Sequence, residues 1–217
     1  MKKNCAFILV VFTLLISSCD KDPIIRDAKH VGISTVAYYP NITLTGDVIL
    51  AVANGTPFTD PGVKAEAGGS DVPVVTTGTV NTSVDGVYTL TYTATNADGS
   101  STAHRTVAVY TTDAEAASHD LSGKYFRAAT GETSTWTKVG PGVYSVLNPG
   151  GSVIGESLYV VAINPTGYTI SIPEQIASDG SESSSTNEVY NNTTPATYSW
   201  VFLNPSYGTN LRSFEKQ

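Results

Sequence analysis

Cysteine is almost absent from this chain. Cys5 and Cys19 are the only two in 217 residues, and both lie in the first twenty. A disulfide framework, a thiolate metal site and a cysteine nucleophile in the body of the protein are therefore excluded. Histidine is nearly as scarce: His30, His104 and His119 are far apart, with no metal-ligand spacing and no G-x-S-x-G elbow that would complete a triad. Charged residues make up only 14% and sum to a net charge of −7, so the positive field that nucleic acid requires is missing. No apolar run reaches the ~20 residues of a membrane-spanning helix.

The longest apolar run, Ala6 to Ile16, follows Lys2 and Lys3 and ends in Ser17 and Ser18 before Cys19. That is the plan of a secretory signal peptide over residues 1–18. Ile16-Ser17-Ser18-Cys19 resembles the bacterial lipobox, which implies that Cys19 is acylated and becomes the first residue of the mature protein. Several acyl chains on one cysteine give a lasting membrane anchor. The acidic residues in "CDKDP" resemble the export signal of Bacteroidetes lipoproteins, which sends the protein to the outer face of the cell; elsewhere an aspartate there signals retention at the inner membrane.

Threonine, serine, valine, glycine and tyrosine are abundant, a composition that favours strands and turns over helices. Residues 19–40 read as a lipidated tether. From Ile42, short runs such as "ITLTG", "VILAVANG" and "VPVVTTG" alternate with turn signals. In "DGVYTLTYTATNADGSSTAHRTVAVY", Tyr88, Leu90, Tyr92 and Ala94 share one face and Thr89, Thr91, Thr93 and Thr95 the other, which predicts one face in a core and one in water. Asp98-Gly99 is expected to form the hairpin turn. "TTDAEAASHD" reads as a linker over 112–120 with one helical turn. Beyond it, "GKYFRA", "STWTKV", "GVYSVL", "SLYVVAIN", "GYTISIP" and "TYSWVFLN" are six strand candidates, and "ASDGSESSSTNE" reads as a mobile polar loop.

"DGVYTL" resembles the tyrosine-corner segment of immunoglobulin folds, with Leu90 in the place of the core cysteine. With "FTDPGVKA", it makes residues 42–110 similar to bacterial Ig-like repeats of the pesticidal-crystal-protein type, which implies a disulfide-free spacer or display module. The expected fold is all-β: an Ig-like β-sandwich over 41–111, then a second antiparallel sandwich or small barrel over 121–217. The layout of tether, Ig-like module and terminal β domain resembles the accessory outer-membrane lipoproteins of starch-utilisation-type polysaccharide loci. That resemblance implies a glycan ligand and outer-membrane transport proteins as partners.

No carboxylate pair is identifiable as a glycosidase couple, although Glu132, Glu156, Glu174, Glu182 and Glu188 supply the groups. No enzyme activity, metal or cofactor is expected. Sugar rings stack their C–H faces on flat aromatic side chains, so aromatics are the better lead. Trp136, in "TSTWTKV", Tyr190, beside Asn191 and Asn192, and Trp200 are the candidate ligand-binding residues. Tyr198, Trp200 and Phe202 alternate as a core stripe would. The resulting expectation is an outer-membrane, lipid-anchored, non-catalytic protein facing the cell exterior and binding a polysaccharide or oligosaccharide. The alternative is a structural or adhesive protein whose Ig-like module displays a protein-binding domain.

Overall fold

The computed structural model describes residues 30–31 and 34–217. The signal segment and Cys19 lie outside the described residues. His30–Val31 (β1) and Ser34–Thr35 (β2) pair antiparallel within a small unit that ends at Tyr38. Residues 39–217 form a second, compact unit that is all-β apart from one short α-helix and one 3-10 turn.

The N-terminal lobe of this unit is a two-sheet sandwich. Asn41–Leu44 (β3), Val63–Ala67 (β5) and Ser70–Asp71 (β6) form one sheet. Ile49–Ala53 (β4), Val74–Thr77 (β7), Gly86–Asn96 (β8) and Gly99–Tyr110 (β9) form the other, with β4 parallel to β9. Leu90, Tyr92, Val107 and Val109 are buried between the sheets against Ile42, Phe58 and Val74, as the alternation of β8 predicts. The Tyr88 hydroxyl donates to the Val84 carbonyl 2.8 Å away, the back-bond of a tyrosine corner. The hairpin turn falls on Ala97-Asp98, one residue earlier than expected. Asn96 Oδ1 accepts from the Asp98 and Gly99 amides, and this side-chain turn sets the register.

A buried charge organises this lobe. Arg105 is 0% exposed. Its Nε lies 3.3 Å from Asp60 Oδ1 and 3.1 Å from the Tyr92 hydroxyl, which itself donates to Asp60. Nη1 donates to the Asp47 carbonyl, and Nη2 to those of Thr45 and Gly62. The "TDPG" motif thus has a physical role. Asp60 also accepts from the Gly62 amide, and Gly62, at φ +86°, bends the chain so that its carbonyl faces Arg105.

The C-terminal lobe is one antiparallel sheet rolled into a barrel. Its strands are Gly123–Arg127 (β10), Glu132–Gly140 (β11), Val143–Leu147 (β12), Tyr159–Ile163 (β13), Gln175–Ile176 (β14), Glu182–Asn191 (β15), Thr197–Leu203 (β16) and Leu211–Lys216 (β17). They run in the order β13-β12-β11-β10-β17-β16-β15-β14. Of the two architectures left open by the sequence, this is the barrel. The end strands meet through a side chain: Gln175 accepts from the Val161 amide and donates to the Val161 carbonyl, both at 2.7 Å. Ile163 exchanges backbone bonds with Ser171 on one side of this clasp, and Tyr159 bonds Ser178 on the other.

Two expected elements differ. "GYTISIP" makes only the single bridge at Ser171, although Ile170 and Ile172 are buried in the core. "ASDGSESSSTNE", expected as a loop, supplies most of β15, because its pairing with β16 rests on backbone hydrogen bonds that its polar composition does not reveal.

The two lobes share an apolar seam. Ala108 and Tyr110 on β9 pack with Val143, Val161 and Ile163 of the barrel, joined by Ile49, Ala51, Val87 and Val139. The second face of β8 and β9 is therefore open to water only along its threonine end. Gly140 marks the closest approach, since a Cβ there would stand 2.5 Å from the Ala51 methyl. The segment between the lobes packs as well: Ala116 of the helix Ala114–Ser118 (α1) is fully buried. Relative motion is the default between domains unless their interface is large and hydrophobic, and this seam ties the lobes into one body.

Removing one partner of a buried ion pair costs about 3–5 kcal/mol, so Arg105→Ala is expected to destabilise by at least ~3 kcal/mol. Urea unfolding followed by tryptophan fluorescence checks both this and the seam. Both tryptophans belong to the barrel, so an unshifted fluorescence midpoint in this variant would show that the lobes unfold independently.

Candidate functional site

Strands β10, β17, β16 and β15 lie side by side, and strand alternation sends successive side chains to opposite faces of the barrel wall. Tyr125, Phe214, Tyr198 and Trp200 point into the barrel. Phe126, Glu215, Ser213, Thr197, Ser199 and Asn191 point out. Register brings the outward set together: Phe126 pairs with Glu215, Glu215 with Thr197, Thr197 with Asn191, and Ser213 with Ser199. Small hydroxyl side chains keep the floor low between Phe126 and Asn191. The result is an open groove of about 550 Å³, within the roughly 300–1,000 Å³ of small-molecule sites.

The groove offers one half-buried aromatic ring, three hydroxyls, one amide and one carboxylate. Each hydroxyl both donates and accepts, and the Asn191 amide does the same through separate atoms. Asn191 Nδ2 stands 3.4 Å from Thr197 Oγ1, a long contact that a ligand oxygen readily replaces. Val189, opposite Ser199, and Leu211, at the start of β17, continue the same face and are each more than half exposed.

The predicted tryptophan platforms are elsewhere. Trp136 and Trp200 are 2% and 0% exposed and stack on each other at 5.5 Å with an interplanar angle of 21°. The threonines around Trp136 misled because strand alternation turns Thr135 and Thr137 outward and the ring inward. Trp200 Nε1 donates to the Pro149 carbonyl at 2.9 Å, anchoring the loop over one end of the barrel. Arg212 and Arg127 bond the next two carbonyls of that loop, Gly150 and Gly151. Gly150 and Gly151 lie so close to Tyr207 and Phe214 that a Cβ at either would clash.

Tyr190 is half-buried against the core, and burial raises its phenol pKa above the usual value. Its ring sits on the Tyr198 side of β15, whereas its neighbour Asn191 reaches the groove. Of the predicted glutamates, Glu174 and Glu182 line a smaller pocket of about 260 Å³, where both stand exposed. The groove residue missed in the sequence is Phe126. Its signal was present in "KYFR": two adjacent aromatics on one strand must face opposite sides, so one of them lies outside.

The sequence model of a family described as bacterial surface protein, Ig-like domain, matches residues 42–109. The match covers the sandwich lobe and none of the barrel. No curated protein matches the chain. A solved structure with similarity is the crystal structure of a lipoprotein from Bacteroides thetaiotaomicron, at 22% identity and a TM-score of 0.43, covering 82% of this chain and 100% of that one.

Because both tryptophans are packed in the core, Trp136→Ala and Trp200→Ala are each expected to cost about 3–5 kcal/mol of stability. Chemical denaturation checks this, and a variant of unchanged stability would place its ring at the surface.

Proposed function

We propose that this chain is a lipid-anchored, non-catalytic protein of the bacterial cell surface that captures a glycan in the groove on the outer face of its barrel. The observation that carries the reading is the composition of that groove. Phe126 offers a flat ring for the C–H face of a sugar, while Ser199, Ser213, Thr197, Asn191 and Glu215 stand within the same concavity to bond hydroxyls.

The surface location is supported by the Ig-like match over residues 42–109 and by the Ile16-Ser17-Ser18-Cys19 sequence with the acidic residues after it. In this reading Cys19 is acylated, the anchor lies in the outer membrane, and the seam presents barrel and sandwich together to the exterior. A captured chain then passes to an outer-membrane transport partner, as the layout of the chain suggests.

A second reading has the same face dock a protein, and exposed Val189 and Leu211 favour it. Stacking on one ring is worth about 0.5–1.5 kcal/mol. Phe126→Ala is therefore expected to weaken glycan binding about tenfold in calorimetry while the protein stays folded. Retained glycan affinity would reject the groove, and the absence of any glycan ligand would favour the protein-binding reading.

Membrane attachment is tested separately. In cells, the protein is expected in the membrane fraction, open to protease added outside and carrying labelled palmitate, whereas Cys19→Ser takes up no label. Palmitate taken up by Cys19→Ser would reject lipidation at Cys19.

A further inference from the structure

We infer that the groove selects neutral, hydroxyl-rich chains and rejects uronate-bearing and sulfated ones; this rests on the glycan reading above. Among the described residues, Glu215 is the single charged side chain lining the groove. Recognition of a carboxylate or sulfate depends on cationic donors, most often a guanidinium fork. Three of the four basic residues on the groove strands are committed elsewhere. Arg127 and Arg212 bond the Gly151 and Gly150 carbonyls at the end of the barrel. Lys216 lies 5.7 Å over the Tyr125 ring, on the inner side of the sheet. Lys124 is the remaining cation; it is exposed on the same outer face as Phe126, two residues along the strand, at the rim and not among the residues that line the groove.

A ligand anion seated in the groove would therefore meet Glu215 as the one charge among the lining residues, on a protein whose net charge is already −7. At ~7 Å in water a single repulsion of this kind lowers affinity about threefold, and successive charges along a polyanion compound it. A neutral chain loses nothing to this term. It uses the same carboxylate as a hydrogen-bond acceptor for its hydroxyls, a charge-assisted bond stronger than one to a neutral oxygen.

The test is affinity electrophoresis and calorimetry of the full-length protein in detergent against neutral glucans, mannans, xylans and galactans, and against polygalacturonate, alginate and heparin. At least one neutral chain is expected to bind, with an affinity that changes less than about twofold between 50 and 500 mM NaCl, and the polyanions are expected to bind at least about tenfold more weakly, as two or more threefold repulsions compound. Phe126→Ala is expected to weaken the neutral binding about tenfold. Glu215→Gln is expected to raise polygalacturonate binding relative to neutral chains at least about threefold. A polyanion that binds through Phe126 with strong salt dependence overturns the selectivity while leaving the glycan reading standing. Binding of no chain in either group overturns both. Continued exclusion of polygalacturonate by Glu215→Gln overturns the assignment of selectivity to that carboxylate.

Discussion

An eight-stranded barrel encloses only enough space for its own side chains or one small ligand, and in this protein aromatic rings take that space. Trp136 lies on Trp200 and Tyr198 on Phe214, with Tyr125 and Tyr144 set against them at steeper angles. The constraint works in two directions. Inward, the rings bind the staves together with large apolar areas and offset geometries. Outward, strand alternation puts Thr197, Ser199 and Ser213 beside Tyr198, Trp200 and Phe214, and these three form the floor of the groove. Core and groove are two faces of one set of strands.

The same economy appears where the lobes meet. In β9, Val107 and Val109 serve the sandwich core while Ala108 and Tyr110 serve the seam, so this strand is buried on both sides at its end. Burial pushes the Tyr110 phenol up to about 12, with the Asp85 carboxylate adding to the shift. Asp85 in turn accepts from the Thr111 amide and from Asn54, fixing the chain as it leaves the sandwich. An Ig-like module attached this way positions the barrel, which a flexible spacer would not do.

Much of this was legible in the sequence. The period of two in "VYTLTYTA" gave the inner face of β8, and "DGVYTL" marked the corner tyrosine by its glycine and spacing. "VAVY" at the end of β9 carried a signal that alternation alone overlooks: a continuous apolar run means a strand covered on both faces. The groove was half visible. "TYSWVF" and "RSFEK" show which residues face in, and their polar alternates face out, but only pairing across β16 and β17 reveals that Thr197 meets Glu215 and Ser199 meets Ser213. Long-range pairing of this kind is not written in local composition. For the same reason a serine-rich segment read as loop forms β15, and Trp136 among threonines proves to be core.

The closure of the barrel at Gln175 has a consequence for how this fold varies. A backbone ladder fixes register, because a slip of one residue turns every side chain over. At the Val161 clasp, one side-chain amide does that work by presenting both a donor and an acceptor to a single residue. The stretch between Ile163 and Gln175 is also held by the Ile163–Ser171 backbone pair and by Ile170 and Ile172 in the core, so neither its length nor its register can change without opening the barrel. Variation at this join is therefore confined to side chains that face out, away from the staves that carry the groove.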